Sequence, residues 1–290
     1  EVEERRFAAP EEATSDLCVK AAEKALKVAG MTIEDIDMII VATVTPDYPV
    51  QSAACLVQHK MGARNVPSFD VNAACSGFIY SLTIAGSMIR SGIYKNVLVI
   101  GAEVLSRILD MTNRSNCILF GDGAAAAVVS EVEEGYGMLS TYLGAEGEDN
   151  YVLKIPAGGS KKPNDAETIA NRENFLVMKG PEVFKFAVHA LPSATNKALK
   201  IANVKSEELK MIFPHQANVR IIESAAKRIH VPMDKFYMNI QRYGNTSAAS
   251  VGIALGEALE KGMLQKGDLI ALTGFGAGLT YGSIVMKWAY

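Results

Sequence analysis

The chain has 290 residues, 49% hydrophobic and 21% charged, with a formal net charge of -3 and a pI near 5.9. That length supports a large core in one or two domains, and the mild negative balance offers no general attraction to nucleic acid or anionic membrane. The longest apolar runs, Asn96–Ala102 and Ala124–Val129, fall far short of the ~20 residues that cross a bilayer, and the charged start at Glu1–Arg6 shows no secretory pattern.

In chain order, the pattern predicts a first amphipathic helix ending in Lys24–Ala29, then a buried strand at Met38–Thr43 and a helix at Ser52–Met61. A short apolar run ends in the small residues around Cys75, and a helix follows at Phe78–Arg90. Strands are predicted at Val97–Gly101 and Ala124–Ser130. Glu146–Asn174 is polar and rich in Gly, Pro, Asn and Lys, as expected of a crossover and flexible cover. Beyond it the pattern gives a strand at Met211–Pro214, helices at Val219–Ile229 and Ser247–Lys261, and strands at Leu269–Thr273 and Gly282–Trp288. The unbroken apolar character of most strands fits sheets covered on both faces.

The chain repeats itself. Lys24-Ala25-Leu26-Lys27-Val28-Ala29 is echoed 173 residues later by Lys197-Ala198-Leu199-Lys200-Ile201-Ala202, and Asp37-Met38-Ile39-Ile40 by Lys210-Met211-Ile212-Phe213. One helix–loop–strand order occurring twice indicates two duplicated α/β halves. We expect an N-terminal half over 1–145, a crossover over 146–174 and a C-terminal half over 175–290. The offset carries Cys75 to the neighbourhood of Asn245 and Ala248, and Ala42 onto His215. Packed about a pseudo-twofold axis, the candidate residues meet in one crevice outside the strand ends.

Cys75, in Asp70-Val71-Asn72-Ala73-Ala74-Cys75-Ser76-Gly77-Phe78, sits at a strand-to-helix junction, where unpaired N–H groups are expected to favour the thiolate. Pro214-His215-Gln216-Ala217-Asn218 and Gly244-Asn245-Thr246-Ser247 supply an imidazole to activate the sulfur and an amide that helps hold developing charge. The cysteines Cys18, Cys55, Cys75 and Cys117 form no CxxC and read as reduced thiols of a cytoplasmic protein. The scattered His59, His189, His215 and His230 show no metal-ligand spacing, so no metal is expected. Gly274-Phe275-Gly276-Ala277-Gly278 follows a strand but precedes another strand-like segment, so it is no dinucleotide loop.

Together DVNAACSGF, FGDGAAAAVV, PHQAN, GNTSAAS and the closing GFGAGLTYGS resemble the β-ketoacyl-acyl-carrier-protein synthase III family, in order over essentially the whole chain. The resemblance implies an α/β, thiolase-like, duplicated five-layer α-β-α-β-α fold and a homodimer. It implies that an acyl group passes from acyl-CoA, a substrate rather than a cofactor, to Cys75. Malonyl-acyl-carrier-protein then decarboxylates and attacks it. By the same resemblance, His215 and Asn245 hold the malonyl thioester carbonyl, and the backbone N–H groups of Cys75 and Ala277 form the acyl oxyanion hole. The family pattern further implicates Arg114, Met178, Gly180, Phe184, Ala217 and Asn218 in CoA binding. It assigns Lys185, Arg220, Lys227 and Arg228 to the carrier protein. Phe275 matches the aromatic beside the cysteine, a place a plain core aromatic fills equally well. Val50 stands where many relatives place a Phe that reaches into the partner's acyl pocket, and Gln51 replaces a usual Pro. In the family several dozen residues precede the segment that starts here at Glu1. They supply a strand and an aromatic/arginine clamp on the CoA adenine, both expected to be missing here.

Other Cys-His-Asn condensing enzymes, including polyketide starters, share these residues. A non-catalytic carrier-protein-binding relative is the alternative of a different class. A thiolase would need a second cysteine in the closing glycine-rich turn, which has none.

Overall fold

The computed structural model describes residues 2–147 and 152–290. The first half runs α1 (Thr14–Ala29), β1 (Met38–Ala42), α2 (Ala53–Met61), β2 (Ser68–Val71), α3 (Gly77–Arg90), β3 (Asn96–Glu103), α4 (Arg114–Cys117) and β4 (Gly123–Ser130). Next come β5 (Gly137–Ala145), β6 (Leu153–Lys154), α5 (Ala166–Ala170) and β7 (Val177–Met178). The chain closes with α6 (Gly180–Ala202), β8 (Met211–Pro214), α7 (Val219–Ile229), α8 (Ile240–Tyr243), α9 (Ser250–Glu260), β9 (Leu269–Gly276) and β10 (Thr280–Lys287).

Two sheets carry the molecule, ordered β2-β1-β3-β4 and β5-β10-β9-β8. Helices α1 and α2 cover the outer face of the first, α3 and α9 lie between the sheets, and α6 and α7 cover the outer face of the second. The layers thus run α-β-α-β-α. Alternation along the strands fills both faces. On β1, Ile39 and Val41 join the outer core with Leu26, Val57 and Ile100, while Met38 and Ile40 join the central core with Phe78, Phe213 and Ile270.

The duplication holds to the residue for the two parallel strand pairs. β1 pairs parallel with β3 and β3 antiparallel with β4, as β8 pairs parallel with β9 and β9 antiparallel with β10. β8 and β9 each start 173 residues after β1 and β3. Both first helices end on a left-handed residue at that same spacing, Gly30 with φ 66° and Asn203 with φ 54°.

Three expectations change. β5, assigned above to the first half, pairs along β10 in the second sheet, because its alternating residues complete the cover under α6. The predicted helix at Ser247–Lys261 is a 3-10 turn at Ser247–Ala249 followed by α9. The segment 146–174, of which 148–151 lie outside the described residues, is fastened rather than loose. Asp165 caps α5 by accepting from the Thr168 N–H at 2.8 Å. Arg172 grips Asp110 through two hydrogen bonds, Nε to Oδ2 at 2.7 Å and Nη2 to Oδ1 at 2.5 Å. No described helix is long and apolar enough to cross a membrane.

Candidate active site

After β2 the chain makes a 3-10 turn, Ala74–Ser76, that delivers Cys75 to the start of α3. Ala74 opens the turn with φ 48°, and 173 residues on Ser247 opens the equivalent turn with φ 49°. The two turns pack against each other at the pseudo-axis. Glycine makes the approach possible: a Cβ at Gly276 on β9 would lie 2.5 Å from the Cys75 backbone nitrogen.

Cys75 is only 6% exposed, and burial pushes its thiol up to about 12. The helix end was expected to hold the thiolate instead. Desolvation of the charged form is the largest influence, and α3 begins only at Gly77. The Ser247 hydroxyl favours the thiolate and the Glu103 carboxylate opposes it, and burial outweighs both.

His215 follows β8 and donates its backbone N–H to the Thr273 carbonyl at 2.8 Å. It is 1% exposed, and burial lowers its ring to about 3, so the imidazole is neutral. The Ser250 hydroxyl accepts the Gln216 N–H at 3.1 Å and lies 2.7 Å from His215 Nδ1. Gln216 N–H is a donor, so Nδ1 is the acceptor in reach of the Ser250 hydroxyl hydrogen, and that assignment puts the ring hydrogen on Nε2. In that tautomer His215 presents Nε2–H as a donor toward the site.

Asn245 is held by backbone bonds to Leu119 O (2.8 Å) and from Gly121 N (2.9 Å). Its Oδ1 accepts the Ser247 N–H at 2.9 Å, which leaves the side-chain NH₂ to face outward from that turn. Gly274 lies between the halves, its Cβ direction 3.5 Å from His215 Cβ and 3.6 Å from the Cys75 carbonyl. Phe275 stands edge-on to His215, centroids 5.4 Å apart at 71°, and belongs to the outer core.

The remaining expected residues spread outward. Ala277 is half-buried in the turn between β9 and β10. Met178 packs with Leu105, Leu109, Phe120 and Leu176 in a small apolar cluster beside the site. Gly180 opens α6, Phe184 one turn on is 37% exposed, and Arg114 is exposed at the start of α4. Ala217 is half-buried, and Asn218 caps α7 by accepting the Arg220 N–H at 2.8 Å. Lys185, Arg220, Lys227 and Arg228 are exposed on α6 and α7, which pack together; Arg228 meets His189 Nδ1 at 2.8 Å. Val50 is 97% exposed and touches nothing of the site within this chain.

Sequence reasoning missed Glu103, Ser247 and Ser250. A carboxylate closing the apolar run Val97–Ala102 was the visible signal for Glu103. The two serines lie inside GNTSAAS and carry no pattern of their own.

Comparison with known proteins follows this geometry. A family model described as 3-oxoacyl-[acyl-carrier-protein (ACP)] synthase III matches residues 69–147, and its C-terminal counterpart matches 199–288. The β-ketoacyl-[acyl-carrier-protein] synthase III of Fusobacterium nucleatum is 66% identical over 287 residues, 99% of this chain and 88% of the relative. The crystal structure of 3-oxoacyl-[acyl-carrier-protein] synthase III from Aquifex aeolicus has a TM-score of 0.90 at 45% identity, covering 99% of this chain and 88% of that one. The priming β-ketosynthase of the R1128 polyketide biosynthetic pathway has a TM-score of 0.89 at 33% identity, covering 98% and 84%.

Proposed function

The chain belongs to the β-ketoacyl-[acyl-carrier-protein] synthase III family, and from that premise we propose how its residues divide the work. The fold is thiolase-like. The protein is an acyltransferase that condenses an acyl-CoA primer with malonyl-acyl-carrier-protein to a 3-oxoacyl-acyl-carrier-protein, releasing carbon dioxide and CoA. The 66% identity to a relative of that name, against 33% to the polyketide priming enzyme, favours fatty acid synthesis.

In our reading Cys75 attacks the primer thioester and carries the acyl group, with the N–H groups of Cys75 and Ala277 receiving the carbonyl oxygen. His215 Nε2–H and the Asn245 amide then hold the malonyl thioester carbonyl as its carboxylate leaves. One observation carries this assignment. The acceptor atom of each side chain is already engaged, Nδ1 by Ser250 and Oδ1 by the Ser247 N–H, so each presents a hydrogen to an oxyanion. Neither donor gains or loses a proton, and the reaction needs no cofactor. The exposed cations Lys185, Arg220, Lys227 and Arg228 support docking of an acidic carrier protein on α6 and α7, with Arg114, Met178, Gly180, Phe184, Ala217 and Asn218 toward the CoA. A homodimer is supported by β2, which ends the first sheet with its outer edge unpaired among the described residues.

The test separates the two half-reactions. Cys75→Ser should abolish acyl transfer from acyl-CoA. His215→Ala and Asn245→Ala should still acylate Cys75 but lose ~10²–10³-fold in malonyl decarboxylation. Decarboxylation at the wild-type rate by either variant would overturn the donor assignment.

A further inference from the structure

Glu103 has no place in the chemistry above, yet its surroundings are built. It ends β3 with 0% exposure. Its Oε2 receives Thr45 Oγ1 at 2.5 Å, Thr43 Oγ1 at 3.1 Å and the Val44 N–H at 3.1 Å. Both threonine hydroxyls are aimed there, since each already accepts a backbone N–H, Thr45 from Val104 at 2.9 Å and Thr43 from Thr45 at 3.1 Å. These donors fix the carboxylate to the first half. Oε1 accepts the Val44 N–H at 3.2 Å and, across the junction between the halves, the Ser247 hydroxyl at 3.0 Å.

Ser247 is also the residue that orients Asn245, donating its backbone N–H to Oδ1 at 2.9 Å. A backbone N–H can be accepted only by the oxygen of a side-chain amide, so this bond decides which way the amide faces. Ser247 presents that N–H from a left-handed backbone, φ 49°, which a residue other than glycine keeps only where its surroundings hold it. The duplication shows what holds it. Gly101 on β3 faces the Ala248 carbonyl, and 173 residues on Gly274 faces the Cys75 carbonyl. Two residues further along each strand the copies differ. Gly276 makes room for the Cys75 backbone nitrogen, whereas Glu103 reaches into the opposite turn. Ala74 holds the place of Ser247 in the first copy, at φ 48° and with no hydroxyl to grip. The carboxylate–hydroxyl link therefore exists only at the turn that carries Asn245.

We propose that Glu103 is a positioning residue for the condensation, holding by way of the Ser247 hydroxyl the turn whose N–H aims the Asn245 amide at the malonyl thioester carbonyl. The inference rests on the reading of Asn245 as a donor to that carbonyl. No proton moves along the link; Glu103 acts by geometry alone. A donor fixed in advance where charge will develop needs no reorganisation at the moment of reaction. Loosening the turn leaves the amide present but poorly aimed, a loss that falls on the transition state more than on substrate binding.

The test is malonyl-acyl-carrier-protein decarboxylation in a set of variants of the whole chain. Ser247→Ala removes the link and keeps the N–H, and Ala74 shows that alanine takes this backbone. It should lose on the order of tenfold in kcat, the worth of one hydrogen bond, with little change in KM. Glu103→Ala should lose at least as much. Glu103→Gln should keep most of the rate, because its carbonyl can take the three donors at Oε2 while its NH₂ donates to the Ser247 hydroxyl. In an Asn245→Ala background Ser247→Ala should cost little more, since the group being positioned is gone. Equal losses in Glu103→Gln and Ser247→Ala, or losses of Ser247→Ala and Asn245→Ala that add in full, overturn the positioning role. Wild-type kcat in Ser247→Ala does so as well, and that variant decides the matter if Glu103→Ala fails to fold. Wild-type decarboxylation by Asn245→Ala would instead overturn the donor reading on which the inference rests.

Discussion

At Cys75 two influences oppose each other, and their sizes decide the outcome. A helix terminus offers ~0.3–1 kcal/mol to a nearby charge, whereas burying an unpaired thiolate costs several. Cys75 and Asn245 were legible as candidates because each sits among small residues, and His215 because the 173-residue offset puts it at an equivalent strand end; Ser247, Ser250 and Glu103 were not, because a hydroxyl or carboxyl acquires its role only from what folds against it. Ser250 yields a prediction at this scale. Ser250→Ala should release His215 Nδ1, mix its tautomers in ¹⁵N spectra and cost about tenfold in malonyl decarboxylation, the worth of one hydrogen bond; Ser250→Thr should restore both. The ring's folded value of about 3 lies below its unfolded 6.5. The unfolded state thus binds more protons between those values, and the contribution to stability is intact above pH 6.5 and falls as pH drops toward 3. His215→Gln should flatten that part of the acid denaturation curve, and an identical curve would mean the ring is already charged in the folded protein.

At the scale of elements, the 173-residue repeat read from two short echoes proves exact for the starts of β8 and β9, the two 3-10 turns and the left-handed caps, while β10 follows β4 by 157. Period and order survive duplication because they are set by which face each strand and helix must bury. The cover segment was less legible: its composition signals a loop, while its order comes from the local Asp165 cap and from the Arg172–Asp110 clasp, a pairing across 62 residues. β5 was misassigned for a similar reason, since partner choice in a sheet is not a local property. Gly276 shows how closely the elements meet. Gly276→Ala places a methyl against the Cys75 backbone nitrogen, at 2.5 Å, so the turn must move. We expect a loss of ~1–3 kcal/mol in stability, read as a lower Tm. Cys75 acylation should fall further than malonyl decarboxylation, because the displaced N–H is the one we assign to the acyl oxyanion hole. Equal losses in both half-reactions would mean that the strain spreads through β9 instead of staying at the turn.

At the scale of the whole molecule, a single chain leaves Val50 97% exposed and Tyr48 58% exposed, and leaves the outer edge of β2 unpaired among the described residues. An exposed apolar loop and an open strand edge are both the kind of surface that proteins cover. A twofold interface would cover it with the same surface of a second copy. On that arrangement the family resemblance puts Val50 in the partner's acyl pocket, at a place expected to hold Phe. Valine is several carbons smaller, and interiors packed to ~0.75 density leave no slack to absorb the difference. One methylene in an apolar pocket is worth ~1–3 kcal/mol in discrimination. The protein should therefore sediment as a dimer and accept primers longer or more branched than acetyl. Val50→Phe should leave the dimer intact and shift kcat/KM toward acetyl-CoA when acetyl-, butyryl-, isobutyryl- and hexanoyl-CoA are compared. A monomer in solution, or a substrate profile the substitution leaves unmoved, would remove Val50 from the pocket and leave it an ordinary surface residue.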